Sequence, residues 1–251
     1  MIKNFKLFKL YKNFKIHNLC KEYHIKNYTI NDDMSISVDG NVDLSYRNLK
    51  FIPIKFKEVS GHFSCRCNKL ISLKNCPETV GGFYCSHNHL TSLKYCPETV
   101  GDDFYCNGNQ LTSLEYCPER VGGGFDCDNN KLTSLEGCPK EVGGYFSCSS
   151  NNLTSLEGCP ESVGGYFSCI NNQITNFDGL PEFFERYINL YENHVYEIYN
   201  LFKNDPRCIY WIREFGAIQG DEVIRDRLEE VYHTLGMDIP KDIRLENYSL
   251  V

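Results

Sequence analysis

The sequence predicts a repeat solenoid: a curved parallel β-sheet of about eight strands with a mostly irregular convex side, followed by an α-helical C-terminal cap. Three observations support this fold class. Eleven of the fourteen cysteines recur in two rows at steps of 20 or 21 residues. Phe and Asn residues recur with the same step, and helical periodicity appears only near the C-terminus. The two rows are Cys65, Cys85, Cys106, Cys127, Cys148 and Cys169, then Cys76, Cys96, Cys117, Cys138 and Cys159.

Each repeat column has a physical role in such a fold. A Phe precedes each cysteine of the first row by two residues, and residues i and i+2 of a strand face the same side, so both should point inward. Further columns of Leu and Asn complete the spacing of leucine-rich repeats. The Asn amides should satisfy backbone groups of adjoining units, and Gly pairs such as Gly143-Gly144 should allow tight bends. The Asn column is Asn68, Asn88, Asn109, Asn130, Asn151 and Asn172.

Degenerate units extend the repeat at both ends. Val42 and Leu44 take the Phe and Cys positions before the first regular unit, and Ile188 and Leu190 take them after the last. Eight strands are therefore expected, six regular ones between two divergent ones. Atypical end units are typical of solenoids because those units face water.

Three segments are predicted. Residues 1–35 form a basic N-terminal arm and capping segment, residues 36–204 the solenoid, and residues 205–251 a helical C-terminal cap and tail. The first 30 residues contain seven Lys and one acid. A terminal helix or arm leading into a capping hairpin explains them, and a targeting or membrane-surface role stays open. In the cap, Asp221 is a candidate N-cap and Gly236 a stop signal for the second helix.

Composition narrows the classes of function. The net charge of −7 argues against a general nucleic-acid binder, whose surface is usually basic. No apolar run approaches the ~18 residues of a membrane helix. The repeated cysteines act as small hydrophobic core residues, so free thiols and a reducing, cytoplasmic location are expected. No motif points to an enzyme, a cofactor or a small-molecule substrate. One minor alternative is a metal site or enzymatic role for His62, Cys67 and His87, at the N-terminal end of the concave face.

The residues that alternate with Phe and Cys should project from the concave face. Their side chains grade from His and Arg through Asp to Tyr along the solenoid. Tyrosine is enriched at binding hot spots, so these residues are predicted to contact a protein partner, although tyrosines packing along the sheet without a partner would give the same pattern. The candidate contacts are Tyr84, Asp103, Tyr105, Asp126, Asp128, Tyr145, Tyr166, Tyr187 and Tyr191. Tyr145, Tyr166 and Tyr187 are expected to stack as a column ~5 Å apart.

The repeat motif also resembles known families. Leu-Thr-Ser-Leu-x-x-x-Pro resembles bacterial leucine-rich repeats of secreted ubiquitin-ligase effectors, without any counterpart of their catalytic domain. Residues 153–172, beginning LTSLEGCPESVGG, are more similar to repeat proteins encoded by large tailed bacteriophages and giant viruses. That resemblance covers nearly the whole chain and favours a viral source, but it implies no established activity and no functional residues. We therefore expect a non-enzymatic scaffold that engages a host or viral protein in the cytoplasm of an infected cell; the alternative is a virion or assembly component.

Overall fold

Each regular repeat unit contributes one short strand to each of two sheets. The computed structural model describes residues 2–180 and 188–251. The first sheet, here the valine sheet, begins with an antiparallel hairpin and continues as a parallel array. Its strands are Tyr28–Ile30, Ile36–Val38, Phe56–Val59, Thr79–Val80, Thr99–Val100, Arg120–Val121, Glu141–Val142 and Ser162–Val163.

The second sheet, here the Phe–Cys sheet, contains the eight predicted strands in parallel register. They are Val42–Asp43, Phe63–Ser64, Phe83–Tyr84, Phe104–Tyr105, Phe125–Asp126, Phe146–Ser147, Phe167–Ser168 and Ile188–Asn189. The solenoid of eight parallel strands is thus confirmed. Outside this sheet each unit is mostly irregular, with one addition to the prediction. The Val residue before each Gly pair is buried, and its two-residue strand pairs with the same strand of the next unit.

The core is built from the repeat columns, as predicted. Phe125 and Cys127 are both fully buried, and each adjoins the same residue types one unit before and after. Successive Phe rings contact one another, with the Phe104 and Phe125 centroids 5.4 Å apart. All fourteen cysteines are free thiols.

The Asn column forms a continuous ladder of side-chain hydrogen bonds. Asn130 shows the pattern: its Oδ1 accepts from the backbone N–H of Leu111 at 3.0 Å, and its Nδ2 donates to the carbonyls of Cys106 at 3.2 Å and Cys127 at 3.0 Å. One amide therefore satisfies three buried backbone groups in two units. This confirms the predicted role of the column.

A glycine follows the Val of most regular units, and at most of these positions the backbones of two units approach closely. A Cβ placed on Gly122 would lie 2.0 Å from the carbonyl oxygen of Gly101, and one on Gly143 would lie 2.2 Å from that of Gly122. Neither residue has a positive φ. The glycines are therefore required for close stacking of the units, and the predicted reason, freedom to form a tight bend, is not the main one.

A second column has backbone that is left-handed in every regular unit. The residue before each cysteine of the second row has φ between 73° and 83°. Later units place Gly there, whereas two earlier ones place Tyr95 and Tyr116. The left-handed region costs L-residues about 1–2 kcal/mol, and glycine avoids this cost.

Replacement of Tyr116 by Gly should therefore stabilise the protein. After the larger conformational entropy of glycine in the unfolded chain is subtracted, we expect Tyr116→Gly to raise the free energy of unfolding by about 0.5–1 kcal/mol. Gly137→Ala in the same column should lower it by a similar or larger amount. Urea denaturation monitored by circular dichroism measures both, and a destabilised Tyr116→Gly would contradict the strain.

Both ends of the solenoid are covered. The N-terminal helix α1 (Ile2–Glu22) buries Cys20 against the first hairpin but exposes Leu10, Tyr11 and Phe14. The C-terminal end carries α2 (Tyr196–Leu201), α3 (Arg207–Glu214) and α4 (Arg225–Leu235). A three-stranded sheet of Ile218–Gln219, Glu222–Val223 and Ser249–Leu250 completes the cap.

The cap differs from the sequence prediction in one detail. Gly236 ends α4 with a φ of 67°, as predicted, but Ile224 and not Asp221 is the N-cap residue. Asp221 lies in the turn of the small sheet, where its carbonyl accepts from the backbone N–H of Ser249. None of the helices in residues 2–180 and 188–251 is long and apolar enough to span a bilayer.

Candidate functional site

The outward face of the Phe–Cys sheet carries a continuous row of aromatic rings. Ring centroids lie 5.2 Å apart between Tyr84 and Tyr105, 6.2 Å between Tyr105 and Tyr145, and 4.9 Å between Tyr145 and Tyr166. His62 extends the row, 5.6 Å from Tyr84. We call these five residues the aromatic ribbon. The expected stacking of Tyr145 on Tyr166 is present, with an angle of 5° between the rings.

Two glycines leave space for rings of the aromatic ribbon. A Cβ on Gly124 would lie 2.5 Å from Cε1 of Tyr145, so this ring lies over the bare backbone of the preceding unit and reaches Tyr105. A Cβ on Gly82 would likewise lie 2.5 Å from Nδ1 of His62. Tyr105 lies between Phe104 and Cys106 whereas Tyr145 precedes Phe146, so the two tyrosines occupy different repeat positions and their contact was not predicted. The signal was the Gly at position 124, where the neighbouring units have Asp and Tyr.

Asp103 and Asp128 hold the local structure together. Asp103 accepts from the hydroxyl of Tyr105 at 2.8 Å and from the backbone N–H of Gly124 at 2.7 Å. Asp128 accepts from the hydroxyl of Ser147 and the backbone N–H of Ser149, both at 2.6 Å. Each carboxylate thus links its own unit to the next one.

Asp126 accepts fewer hydrogen bonds than Asp103 and Asp128 do. Its Oδ1 accepts from the backbone N–H of Asp128 at 2.9 Å. Burial, and to a smaller extent the charge of Asp128, raise the pKa of Asp126 to about 6. Among the residues that the structure describes, no Lys, Arg or His nitrogen lies within 4 Å of this carboxylate. At neutral pH the face therefore holds a half-buried negative charge.

Removal of this charge should stabilise the protein in a pH-dependent way. The pKa of Asp126 is above the ~3.9 of an unfolded chain, so the folded state holds more protons between about pH 4 and pH 6, and stability falls as pH rises through this window. Asp126→Asn keeps the oxygen that accepts from Asp128. We expect it to raise the free energy of unfolding by about 1–2 kcal/mol at pH 7.5 and to leave it unchanged at pH 4, after allowance for partial exposure. Urea unfolding at both pH values measures the difference; equal effects at both would contradict it.

The burial of the tyrosines also affects their hydroxyls. Loss of hydration raises the pKa of Tyr145 to about 12 and raises that of Tyr84, where the charges of Asp103 and Asp102 add to the effect. The pKa of Tyr105 is raised chiefly by burial, then by its hydrogen bonds with Tyr145 and Asp103. These phenols therefore stay neutral, and the hydroxyl of Tyr105 donates to Asp103.

A cavity of about 370 Å³ opens at the N-terminal end of the ribbon. Tyr84, Tyr105 and Asp126 line it, together with Arg66 and the polar pair Ser86 and Asn107. The hydroxyl of Ser86 donates to Oδ1 of Asn107 at 2.5 Å. The guanidinium of Arg66 lies 6.0 Å from the centroid of the Tyr46 ring, which also lines the cavity.

The remaining candidates lie elsewhere. Tyr191 packs edge-on against Tyr196 of α2, with centroids 5.5 Å apart, so it extends the exposed surface at the cap. Tyr187 lies outside the described residues, and its place in the predicted column stays a prediction.

The three residues proposed for a metal site do not come together. His62 lies near Tyr84, whereas Cys67 and His87 line the cavity and have left-handed backbone, with φ of 54° each. Within the described parts of the chain, no group of three or more His, Cys, Asp or Glu side chains could hold a metal ion. Burial raises the pKa of the core thiols such as Cys106 and Cys127 well above that of a free cysteine, which keeps them as neutral packing groups.

Comparison with known proteins assigns no function to the chain. No family model and no curated protein matches the chain. Among solved structures the chain is similar to YopM from Yersinia enterocolitica WA-314, with 20% sequence identity and a TM-score of 0.35 over 61% of this chain. It covers 42% of that protein, less than half its length. The parallel strands, the Leu columns and the Asn ladder of the chain itself identify it as a leucine-rich-repeat-type solenoid.

Proposed function

We propose that the protein is a non-enzymatic scaffold that binds another protein through the outward face of the Phe–Cys sheet. The aromatic ribbon carries this proposal. Its four tyrosines lie in contact across five units, and the middle unit contributes Asp126, a carboxylate whose charge is held at a cost in stability. Tyrosines with fixed rings bury a large area for little loss of entropy, which suits a binding surface.

The geometry also favours a partner that crosses several units. The cavity borders one end of the ribbon and Tyr166, 38% exposed, continues it toward the C-terminal end. Neighbouring strands lie ~4.8 Å apart, so this surface is roughly 20 Å long. A polypeptide segment lying across the strands would contact tyrosine in most of these units and meet acidic groups near the middle. We place this interaction in the cytoplasm of a virus-infected cell, in keeping with the free thiols and the repeat motif.

Capture of partners from a host-cell lysate tests the proposal. We expect the full chain to retain a specific protein and Tyr145→Ala/Tyr166→Ala to lose at least tenfold of it, since each buried hot-spot tyrosine contributes about 1–2 kcal/mol or more. The matched control is Tyr95→Ala/Tyr116→Ala. Those tyrosines are also exposed, at 53% and 51%, but lie outside the ribbon.

Two outcomes would contradict the proposal. Equal capture by both folded double variants would remove the ribbon from the interaction. Self-assembly of the purified chain on size-exclusion chromatography, without a captured partner, would favour the alternative of a virion or assembly component.

A further inference from the structure

We propose that the cavity beside the ribbon binds an arginine side chain of the partner, with Asp126 as its counter-ion and Tyr84 and Tyr105 as its aromatic walls. This inference rests on the proposed function and names the chemistry that the scaffold recognises. The volume of about 370 Å³ is within the range of ligand pockets and exceeds what one side chain needs. It leaves space for the backbone on either side of the arginine.

The charge balance of the cavity favours a cationic ligand. Asp126 keeps one oxygen in its hydrogen bond to the backbone of Asp128, and within the described chain no cationic nitrogen lies within 4 Å of the carboxylate. The carboxyl groups of Asp103 and Asp128 already accept from donors of their own unit or the next one. Asp126 is therefore the acidic group of the face that is best placed to receive an external cation.

The shape of the cavity walls favours a planar ligand group. The rings of Tyr84 and Tyr105 are 5.2 Å apart and tilted by 52°, so a flat group entering the cavity meets an aromatic surface beside the carboxylate. A guanidinium is planar, stacks flat on aromatic rings and pairs with carboxylates through two parallel hydrogen bonds, whereas an ammonium is a compact point charge without a planar face. Arg66 and Tyr46, which lie in the same cavity, already form such a guanidinium–ring contact.

The charges of the cavity also fix the orientation of a bound partner segment. Arg66 follows the second strand of the Phe–Cys sheet and Asp126 ends the fifth, so opposite charges mark the two ends of the cavity. A partner segment with arginine at the Asp126 end and an acidic residue at the Arg66 end would match both. The reverse orientation would place like charges together.

A titration of the full-length, isotope-labelled protein tests the inference by nuclear magnetic resonance. The probes are N-acetyl-arginine methylamide and its uncharged isostere, N-acetyl-citrulline methylamide. We expect the arginine probe to shift the signals of Tyr84, Tyr105 and Asp126 saturably and to bind about tenfold more tightly than citrulline, as for a hydrogen bond to a charged group. In Asp126→Asn this ratio should fall toward one.

The control variant is Glu115→Gln, which removes the same charge from an exposed site outside the cavity and should leave the ratio unchanged. Equal shifts with both probes, shifts that avoid the cavity, or an unchanged ratio in Asp126→Asn would overturn the inference. These results are separable from the test of the proposed function. A partner captured through the ribbon without arginine selectivity overturns only the inference, and arginine selectivity without any partner overturns only the proposed function.

Discussion

Gly122→Ala should lower the free energy of unfolding by about 3 kcal/mol or more. The added methyl carbon would lie 2.0 Å from the carbonyl oxygen of Gly101, and both atoms belong to backbones held by the parallel ladder. The strain can be relieved only if two units move apart, which weakens the hydrogen bonds and the Val and Phe contacts on both sides. At about 2–4 °C per kcal/mol for a chain of this size, the melting temperature should fall by about 6–12 °C.

Gly101→Ala is the matched control for this substitution. It lies in the same column, yet its nearest contact would be the carbonyl oxygen of Gly81 at 3.7 Å, an ordinary van der Waals distance. We expect no loss of stability there, and a gain of a few tenths of a kcal/mol from the reduced entropy of the unfolded chain. Thermal unfolding of both variants, followed by circular dichroism, makes the comparison. If the two alanines have the same effect, close stacking is not the reason for the glycine column.

Asn151→Ala should cost about 3–4 kcal/mol of stability. Its Oδ1 accepts from the backbone N–H of Leu132, and its Nδ2 donates to the carbonyls of Cys127 and Cys148 at 3.1 and 3.0 Å. All these groups are buried, and each one left without a partner costs about 1–3 kcal/mol unless water enters. The loss should appear as a lower midpoint in urea unfolding.

Asn152→Ala provides the comparison for the Asn ladder. Asn152 is adjacent in sequence but exposed, and it contributes to the ladder only through its backbone N–H, which donates to Leu132 and is unaffected by the substitution. We expect a change within about 0.5 kcal/mol. An Asn151→Ala protein as stable as Asn152→Ala would mean that the side-chain ladder contributes little.

The repeating part of the fold was readable from the sequence because each column recurs many times. The inward positions of Phe104 and Cys106 follow from two-residue alternation in a strand, and both are fully buried. The ends of the Phe–Cys sheet were predicted equally well, since Val42 and Ile188 keep the pairing of that column. Gly236 stops α4 for the expected reason.

Features that depend on how close neighbouring units lie were not readable in the same way. Val121 precedes a Gly pair, and nothing in a single apolar residue at that place signals pairing with Val142. The role of Gly122 depends on the separation of two carbonyl groups, which no sequence pattern reports. At the face, the contact between Tyr105 and Tyr145 depends on the missing side chain of Gly124, a property of three units together.

The candidate contacts also differ more among themselves than their shared columns indicated. Asp103, Asp126 and Asp128 appeared as one acidic group, yet hydrogen-bond partners distinguish Asp126 from the other two. Apart from the Tyr105 hydroxyl, the donors to Asp103 and Asp128 come from side chains and backbone groups in the next unit. Their identity depends on the three-dimensional register, so sequence spacing alone could not separate the roles.

The Asn ladder has a consequence for how such a molecule can change in length. Every regular unit gives its neighbour the same hydrogen bonds that it receives, so removal of residues 132–152 would join Lys131 to Leu153 and leave equivalent partners on each side. The same excision would delete Tyr145 and bring Tyr166 next to Gly124. Addition or loss of whole units can therefore lengthen, shorten or reorder the recognition surface while the bonding of the scaffold stays the same.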